Sequence, residues 1–416
     1  MNVTPQSRLK PVQLVVRQDR NGYIVEDAAN RDYYEMSELC VIALQRMGEG
    51  ETLETIEREL SARFPDEDVD LAGFAEQLLE LRLVAELDGI PIRKDNGEAR
   101  GRNDAEKAKT SGGFGWISPS FARMLFHPAM RWLYAGAIVA NVALLAAKPD
   151  LFPRFRDAFP FDSMALNSAT WLGLSFALLL LHELGHITAV RSFGLPAKLG
   201  VGHRFVFVVF ETEMDGIWSL TPKQRNRAFL AGMGVDQLVL LVCLLVQTAL
   251  PGDPEIVRKL AALAVLDLVV KLAFQCCLFM KTDLYYVVEN GTGCYNLMER
   301  SCSWLGRKLS GREGREKGRE EEPRAVRWYA VVYAAGYVLN LAIVALYFAP
   351  QLVVSLATAL PRLAVPDDAA RFWDAVVFVL EIVVLGSLLL RSLMKNRTGR
   401  PRDDRHGVQP GPHMEP

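Results

Sequence analysis

The sequence has few histidines, no cysteines at metal-binding spacing and almost no net charge. Six of its 416 residues are histidines, six are cysteines, and the net charge is -2. A nearly neutral chain gives no electrostatic reason to expect a nucleic acid partner. The cysteines lack the paired spacing of zinc-binding motifs, and several lie within apolar runs. This pattern predicts small buried side chains in a reducing compartment.

Long apolar segments are missing from the chain before residue 128. The first residues, MNVTPQSRLKPVQLV, lack the apolar core and the small-residue cleavage site of a secretory signal, so we expect a cytoplasmic N-terminus. Further along, about six segments are long enough to cross a hydrocarbon core of roughly 30 Å. They lie near residues 129–147, 168–190, 229–250, 257–279, 328–348 and 372–394.

Lysine and arginine collect in alternate loops between these segments. They are frequent before the first segment and after the second, fourth and sixth, and scarce in residues 149–167, 251–256 and 349–371. Positively charged loops favour the cytoplasmic side of a membrane. The pattern predicts a multi-pass protein of the cell inner (cytoplasmic) membrane, with an even number of spans and both termini in the cytoplasm.

Residues 1–91 are predicted to form a small soluble domain. LVVRQDRNGYIVE alternates as two strands around the hairpin signal Asn21-Gly22, and segments of helical periodicity follow. Residues 92–120 have the composition of a flexible linker, and residues 396–416 that of a disordered basic tail. The expected fold class is mainly α, a polytopic bundle of about six transmembrane helices in residues 121–395 with a small N-terminal α+β, winged-helix-like domain.

The second apolar segment contains HELGH, in which two histidines and a glutamate interrupt a membrane-grade run. Residues four apart share one face of a helix, so His182 and His186 can reach one Zn2+. Glu183 can then reach a water at the metal as general base. Because ionisable residues are costly inside a membrane and usually functional there, the motif predicts a zinc site with these three residues in those roles.

A catalytic zinc ion needs a further protein ligand, which must come from elsewhere in the chain. Asp283 follows the fourth apolar segment, and the loop charges place it on the cytoplasmic side, at a depth similar to that of HELGH. Asp283 is therefore the predicted third ligand. His203, Glu211 and Glu213 are the alternatives, although the neighbourhood of His203, VGHRFVFVVFE, alternates as a strand and favours a surface or structural role.

Other ionisable residues also lie within the apolar segments. Asp267 and Lys271 are four residues apart, which predicts an ion pair on one helix face. Asp236 can support the metal site without a more specific role, and Glu381 has no assigned role. The histidines outside the spans are His127, His406 and His413.

With HELGH inside a span and an aspartate after a later one, residues 120–300 resemble the site-2 protease family of intramembrane zinc metalloproteases. The resemblance implies that His182, His186 and Asp283 bind zinc and that Glu183 is the catalytic base. The stretch WSLTPKQRNRAFLAGMGVDQLV is similar to the family segment that leads from a membrane-associated loop into the next helix.

The residues around the aspartate resemble one branch of that family more than the others. Tyr285-Tyr286 is similar to a peptide-processing branch in which the aspartate is followed by glycine and two tyrosines. Many family members have Asn-Pro before an Asp-Gly pair, whereas here Cys277-Leu278 precedes the aspartate and Leu284 follows it.

Residues 12–90 are similar to PqqD-like recognition domains, in the order of strands, hairpin and helices and in the phrase GEGETLETIERELSARF. The resemblance implies that the domain captures a precursor or leader peptide as an added strand. An unrelated winged-helix-like regulatory module is the alternative.

Together these features predict an intramembrane zinc endopeptidase that matures a ribosomally synthesised precursor peptide recruited by the N-terminal domain. A first alternative is a regulatory site-2 protease that cleaves a membrane-anchored signalling protein. A second is a non-proteolytic, zinc-containing protein of peptide export or immunity. The expected cofactor is Zn2+, and the expected partners are the precursor or leader peptide and the lipid bilayer.

Overall fold

A computed structural model of the chain describes residues 3–65, 67, 69–92, 114–204, 207–214, 216–249, 255–310, 323–364, 369–398 and 409–410. Among these residues, a small N-terminal region contains most of the strands, and long apolar helices dominate the remainder. The structure therefore agrees with the expected fold class at this level, a mainly helical chain with a small sheet-containing N-terminal region.

The N-terminal region contains two small sheets. Its strands are β1 (Leu9–Pro11), β2 (Leu14–Gln18), β3 (Tyr23–Asp27), β4 (Asp32–Met36), β5 (Val84–Leu87) and β6 (Ile90–Pro91). β5 pairs with β1 and β6, while β2, β3 and β4 form an antiparallel meander. The β2–β3 hairpin closes around Asn21-Gly22, where the Asp19 amide donates a 2.9 Å hydrogen bond to the Gly22 carbonyl. The predicted hairpin is confirmed.

Three helices pack on one face of the meander. They are α1 (Glu38–Gly48), α2 (Leu53–Arg63) and α3 (Leu71–Glu80). Leu44, Ile56 and Phe74 of these helices share a buried core with Val25 and Tyr34 of the sheet. Apolar burial of this kind is the main source of stability for so small a domain.

The remainder of the described chain is mostly helical. Its helices are α4 (Pro119–Leu125), α5 (Met130–Ala147), α6 (Met164–Ser192), α7 (Pro222–Phe229), α8 (Ala231–Ala249), α9 (Glu255–Gln275), α10 (Asp283–Thr292), α11 (Leu297–Leu309), α12 (Arg324–Ile343), α13 (Ala349–Ala364) and α14 (Ala369–Thr398). Between α6 and α7, β7 (Lys198–Arg204) and β8 (Phe207–Glu213) form an antiparallel hairpin.

In the part of the chain that the structure describes, four helical stretches are long and apolar enough to cross a membrane. They are Met130–Ala147, Met164–Ser192, Pro222–Thr248 and Arg324–Leu346. Each coincides with a predicted span. The predicted spans at residues 257–279 and 372–394 correspond to α9 and α14, which are helical but do not belong to this set. Charged residues interrupt α9, which lowers its mean hydropathy.

Helices α6 and α8 approach each other closely at the HELGH motif. A Cβ atom on Gly185 would lie 2.9 Å from the Ala231 carbonyl oxygen and 2.9 Å from Val235 Cγ2, so only glycine fits there. Close approach at a small residue is a common way to pack membrane helices. The glycine of HELGH therefore holds the motif against the first turns of α8.

Most of the predicted linker and tail lies outside the described residues. α4 begins at Pro119, within the last residues of the predicted linker. Near the other end of the chain, Gln409–Pro410 forms β9, which pairs parallel to β4 with Tyr34 opposite Gln409 and Glu35 opposite Pro410. The edge of the N-terminal meander is thus covered at these two positions by the same chain.

Candidate metal centre

The two histidines of HELGH lie one turn apart on the same face of α6. Their Nε2 atoms are 3.1 Å apart, and both side chains are buried. This geometry follows from the helical repeat, which brings residues four apart to one face. The structure thus places the His182 and His186 side chains together, as their spacing predicts.

Asp283 joins these histidines although it lies about a hundred residues further along the chain. It is the first residue of α10, whose N-cap Thr282 accepts a hydrogen bond from a backbone amide of the first turn. Its Oδ2 lies 3.0 Å from His182 Nε2 and 3.3 Å from His186 Nε2. Burial disfavours its charged form, but His186 and His182, when their imidazoles are protonated, outweigh burial and hold the pKa of Asp283 below its usual range.

Each ring nitrogen that points away from this cluster has its own partner. His182 Nδ1 lies 2.7 Å from Asp236 Oδ2, and His186 Nδ1 lies 2.8 Å from the Ala228 carbonyl oxygen. A carbonyl oxygen accepts only, so the proton of neutral His186 belongs on Nδ1 and the Nε2 lone pair faces the cluster. Outer contacts of this kind orient histidines that bind metals. The structure thus places Asp236 beside His182, a contact that the sequence did not predict.

The distances in the cluster fit a small metal ion. Two ligands about 2.0–2.1 Å from a tetrahedral zinc ion lie roughly 3.3–3.4 Å apart. The three donor atoms of His182, His186 and Asp283 are separated by 3.0 to 3.3 Å and are all buried. Two imidazoles and one carboxylate leave a tetrahedral ion one open position, as a catalytic site requires. These residues can therefore hold a metal ion.

The backbone of α8 leaves the space beside the ligand nitrogens free. A Cβ atom on Gly232 would lie 2.5 Å from His186 Nε2 and 2.6 Å from His182 Nε2, inside van der Waals contact. Any side chain at residue 232 would displace the imidazoles. Gly232 thus has a direct steric role in the site.

Glu183 lies beside the first histidine and contacts the β7–β8 hairpin. Its side chain is buried, and its Oε2 accepts a 2.7 Å hydrogen bond from the hydroxyl group of Thr212 in β8. Glu183 does not belong to the ligand cluster that the described side chains form, which keeps its carboxylate available for another role.

The alternative ligands lie on the same hairpin. The backbone of His203 pairs with Val208 across β7 and β8. Glu211 and Glu213 flank Thr212 in β8. Among the side chains that the structure describes, these glutamates do not join the three-residue cluster.

The remaining ionisable residues of the apolar helices are engaged away from the cluster. Lys271 Nζ lies 2.7 Å from Asp267 Oδ2, as predicted from their spacing, and Trp171 Nε1 donates a 3.0 Å hydrogen bond to Asp267 Oδ1. Glu381 of α14 accepts a hydrogen bond from the Ser168 hydroxyl group in α6. Both arrangements tie α6 to another helix.

Sequence reasoning missed Gly232, Thr212 and the carbonyl of Ala228. The sequence did contain a signal for Ala228 and Gly232. Together with Asp236 they are spaced four residues apart, which places all three on one side of a helical stretch. Thr212 carried no signal, since a lone hydroxyl in a strand is common.

The chain was also compared with known proteins. No protein-family model, no curated protein and no solved structure matches it.

Proposed function

We propose that the protein is a membrane-embedded zinc endopeptidase. The observation that carries this proposal is the convergence of His182, His186 and Asp283 at tetrahedral-ligand spacing, with Glu183 next to the first ligand and Gly232 leaving room beside them. A site that bound zinc only for structural reasons would have no need for a buried, unligated carboxylate at that place. The resemblance of HELGH and Asp283 to the site-2 protease family supports the same proposal.

In this proposal the chain supplies the ligands and the proton transfers. A bound zinc ion would polarise the scissile carbonyl group and acidify the attacking water. Glu183 would take the proton from that water and deliver it to the leaving amine, as a general base and then a general acid. Thr212 would orient the Glu183 carboxylate through their 2.7 Å hydrogen bond. The burial of the site side chains would limit the access of other water molecules.

The proposed substrate is a ribosomally synthesised precursor peptide that the PqqD-like N-terminal domain recruits by strand addition. The strand order β2-β3-β4-β9 supports this part of the proposal, because among the described residues it leaves β2 at one edge of the sheet, and a sheet edge offers backbone groups to an extended peptide. We further propose about six spans in the inner membrane, with both termini in the cytoplasm, since the loop charges favour that orientation.

The decisive experiment is Glu183→Gln, measured as cleavage of a co-expressed precursor by the purified protein. Loss of the base should lower the rate by about 10²–10⁴-fold, while the zinc content stays at the parent level because every ligand remains. Cleavage at the parent rate would refute the catalytic assignment. An intact precursor in the parent, with transport or resistance that survives the substitution, would favour the non-proteolytic alternative. Cleavage confined to a membrane-anchored substrate would favour the regulatory one.

A further inference from the structure

The meander of the N-terminal domain is covered on both faces. Val25 and Tyr34 face the domain's own helices, while the neighbouring residues Ile24 and Tyr33 point the other way. Ile24 and Tyr33 are buried in a second core that includes Ile187 and Val190 of α6, just after HELGH. The outer face of the sheet therefore shares a buried core with the end of the helix that carries the two histidines.

The tip of the β2–β3 hairpin reaches the end of α10. Arg20 Nη1 donates a 2.9 Å hydrogen bond to the Gly291 carbonyl oxygen, and Asn21 Nδ2 donates a 3.0 Å hydrogen bond to the Thr292 carbonyl oxygen. These carbonyls belong to the last turn of α10, where they have no partner within the helix. The hairpin thus caps the helix whose first residue is Asp283.

Asp19, at the same hairpin tip, forms a buried ion pair with Arg225 of α7. Its carboxylate accepts hydrogen bonds from the Arg225 guanidinium group and from the Tyr295 hydroxyl group. The side chains of Arg225 and Asp19 are only 1% and 5% exposed. The guanidinium group also lies over the rings of Trp218 and Tyr295, with centroid distances of 5.0 and 5.5 Å.

A buried pair of this kind fixes geometry more than it adds stability. If one partner is removed, the other remains as an uncompensated buried charge, which is strongly unfavourable. Among the described residues, Arg225 Nε already lacks a hydrogen-bond partner, and Nη1 donates a 2.9 Å hydrogen bond to the neutral Tyr295 hydroxyl group, so the Asp19 carboxylate is the only anion paired with the guanidinium group. The position of α7 is therefore tied to the presence of the N-terminal domain.

Helix α7 also contacts the candidate metal cluster through its backbone. The Ala228 carbonyl oxygen, less than one turn after Arg225, is the 2.8 Å partner of His186 Nδ1. Asn290 of α10 donates a 2.8 Å hydrogen bond to the Pro222 carbonyl oxygen and so joins α7 to the helix that begins with the third candidate ligand. The hairpin tip contacts both helices, at Arg225 and at the end of α10.

We propose that Asp19 is a positioning residue of the metal centre, and that the docked N-terminal domain sets the metal affinity through α7 and α10. The domain is then a structural component of the site as well as a place for a peptide to bind. The inference rests on the proposed zinc site, but it does not depend on peptide cleavage. Displacement of the hairpin tip would loosen the backbone contact of His186 and the capped end of α10 together.

The test uses the full chain in a Glu183→Gln background, which keeps every ligand and removes any effect of turnover. Zinc affinity is measured by competition with a chelator of known affinity. Asp19→Asn should weaken zinc binding by about tenfold or more, because it leaves Arg225 as an uncompensated buried charge on the helix whose Ala228 carbonyl orients His186. Glu86→Gln is the matched control, since the Lys10–Glu86 pair belongs to the same domain and is exposed.

Rescue separates positioning from general damage. In Asp19→Asn/Arg225→Gln, a neutral hydrogen bond replaces the ion pair and no charge is left unpaired. Its zinc affinity should return to within about threefold of the parent. A folded Asp19→Asn protein with the parent's zinc affinity would overturn the inference.

If the Asp19→Asn variant does not fold, Arg20→Ala/Asn21→Ala is measured in its place. Weaker zinc binding by this variant supports the inference, and zinc binding at the parent's affinity overturns it. Failure of the parent itself to bind zinc would refute the proposed site instead.

Discussion

The hydroxyl group of Thr212 donates a 2.7 Å hydrogen bond to the carboxylate of Glu183, from a strand that lies 29 residues further along the chain. The bond fixes the orientation of the proposed base relative to the ligands. Thr212→Val keeps the shape of the side chain but removes the donor. We expect cleavage to slow by about ten- to a hundredfold with unchanged zinc content.

Thr212→Ser serves as the control, because it retains the hydroxyl group and should keep most of the activity. The rate constant at saturating substrate is the informative measurement, since the bond acts on the base and not on the peptide. A valine variant as active as the parent would show that Glu183 needs no such partner.

Gly232 gives a second prediction, one that leaves every ligand in place. Gly232→Ala adds a methyl group 2.5 to 2.6 Å from Nε2 of His186 and of His182, so the imidazoles must move away from it. We expect the purified variant to lose most of its zinc, measured by elemental analysis. Gly173→Ala, in the helix that carries HELGH, is the matched control, because a Cβ atom at Gly173 would have no heavy atom within 4 Å. Equal zinc in both variants would contradict a steric role for Gly232.

Asp236 provides a third prediction, on the outer contact of His182. Asp236→Ala removes the 2.7 Å partner of His182 Nδ1 and should weaken zinc binding by about 10–100-fold. Asp283→Ala removes a ligand and should abolish binding. Asp267→Asn is the control, because Asp267 pairs with Lys271 away from the cluster. If Asp283→Ala retained its zinc, the third ligand would have to be sought at His203, Glu211 or Glu213.

Glu289 in α10 predicts how stability depends on pH. Burial raises the pKa of Glu289 to about 7, against the opposing hydrogen bonds from Tyr285 and the Leu297 amide. A carboxyl group with a raised folded-state pKa binds more protons in the folded state than in the unfolded state. The free energy of unfolding should therefore decrease as the pH rises from about 4.5 to about 7, by about 3 kcal/mol in total.

The test of this pH effect is Glu289→Gln, whose amide oxygen can accept the same two hydrogen bonds. Its thermal midpoint in detergent should exceed that of the parent at pH 8 and match it at pH 4.5. A parent and a variant with the same pH dependence would show that Glu289 does not titrate in this range.

The sequence was sufficient for features that depend on local spacing. His182 and His186 meet because they are four apart in a helix, and the Asn21-Gly22 turn closes a hairpin as its residue types predict. Asp283 was predicted as the third ligand because the loop charges place it on the same side of the membrane as HELGH, and this argument requires no knowledge of contacts. Each of these predictions depends on helical spacing, on turn composition or on the charge of whole loops, and all three can be read from the sequence.

Contacts between distant elements were beyond that reasoning. Nothing near Asp19 in the sequence indicates that its partner is Arg225, and nothing near Thr212 indicates Glu183. One clue to the docked domain was nonetheless present. Ile24-Val25 and Tyr33-Tyr34 are adjacent apolar pairs within strands, and side chains of adjacent strand residues point to opposite faces. Such pairs indicate a sheet that is buried on both sides.

The long separation between the members of the cluster also bears on biosynthesis. Asp283 follows His182 by 101 residues, so at a synthesis rate of about 5–20 residues per second it emerges roughly 5–20 s later. The N-terminal hairpin emerges earlier still, 206 residues before its partner Arg225. A nascent chain therefore has β1 to β6 outside the ribosome while the candidate metal cluster is still incomplete. The hydrolysis proposed for that cluster cannot begin until α10 has left the ribosome.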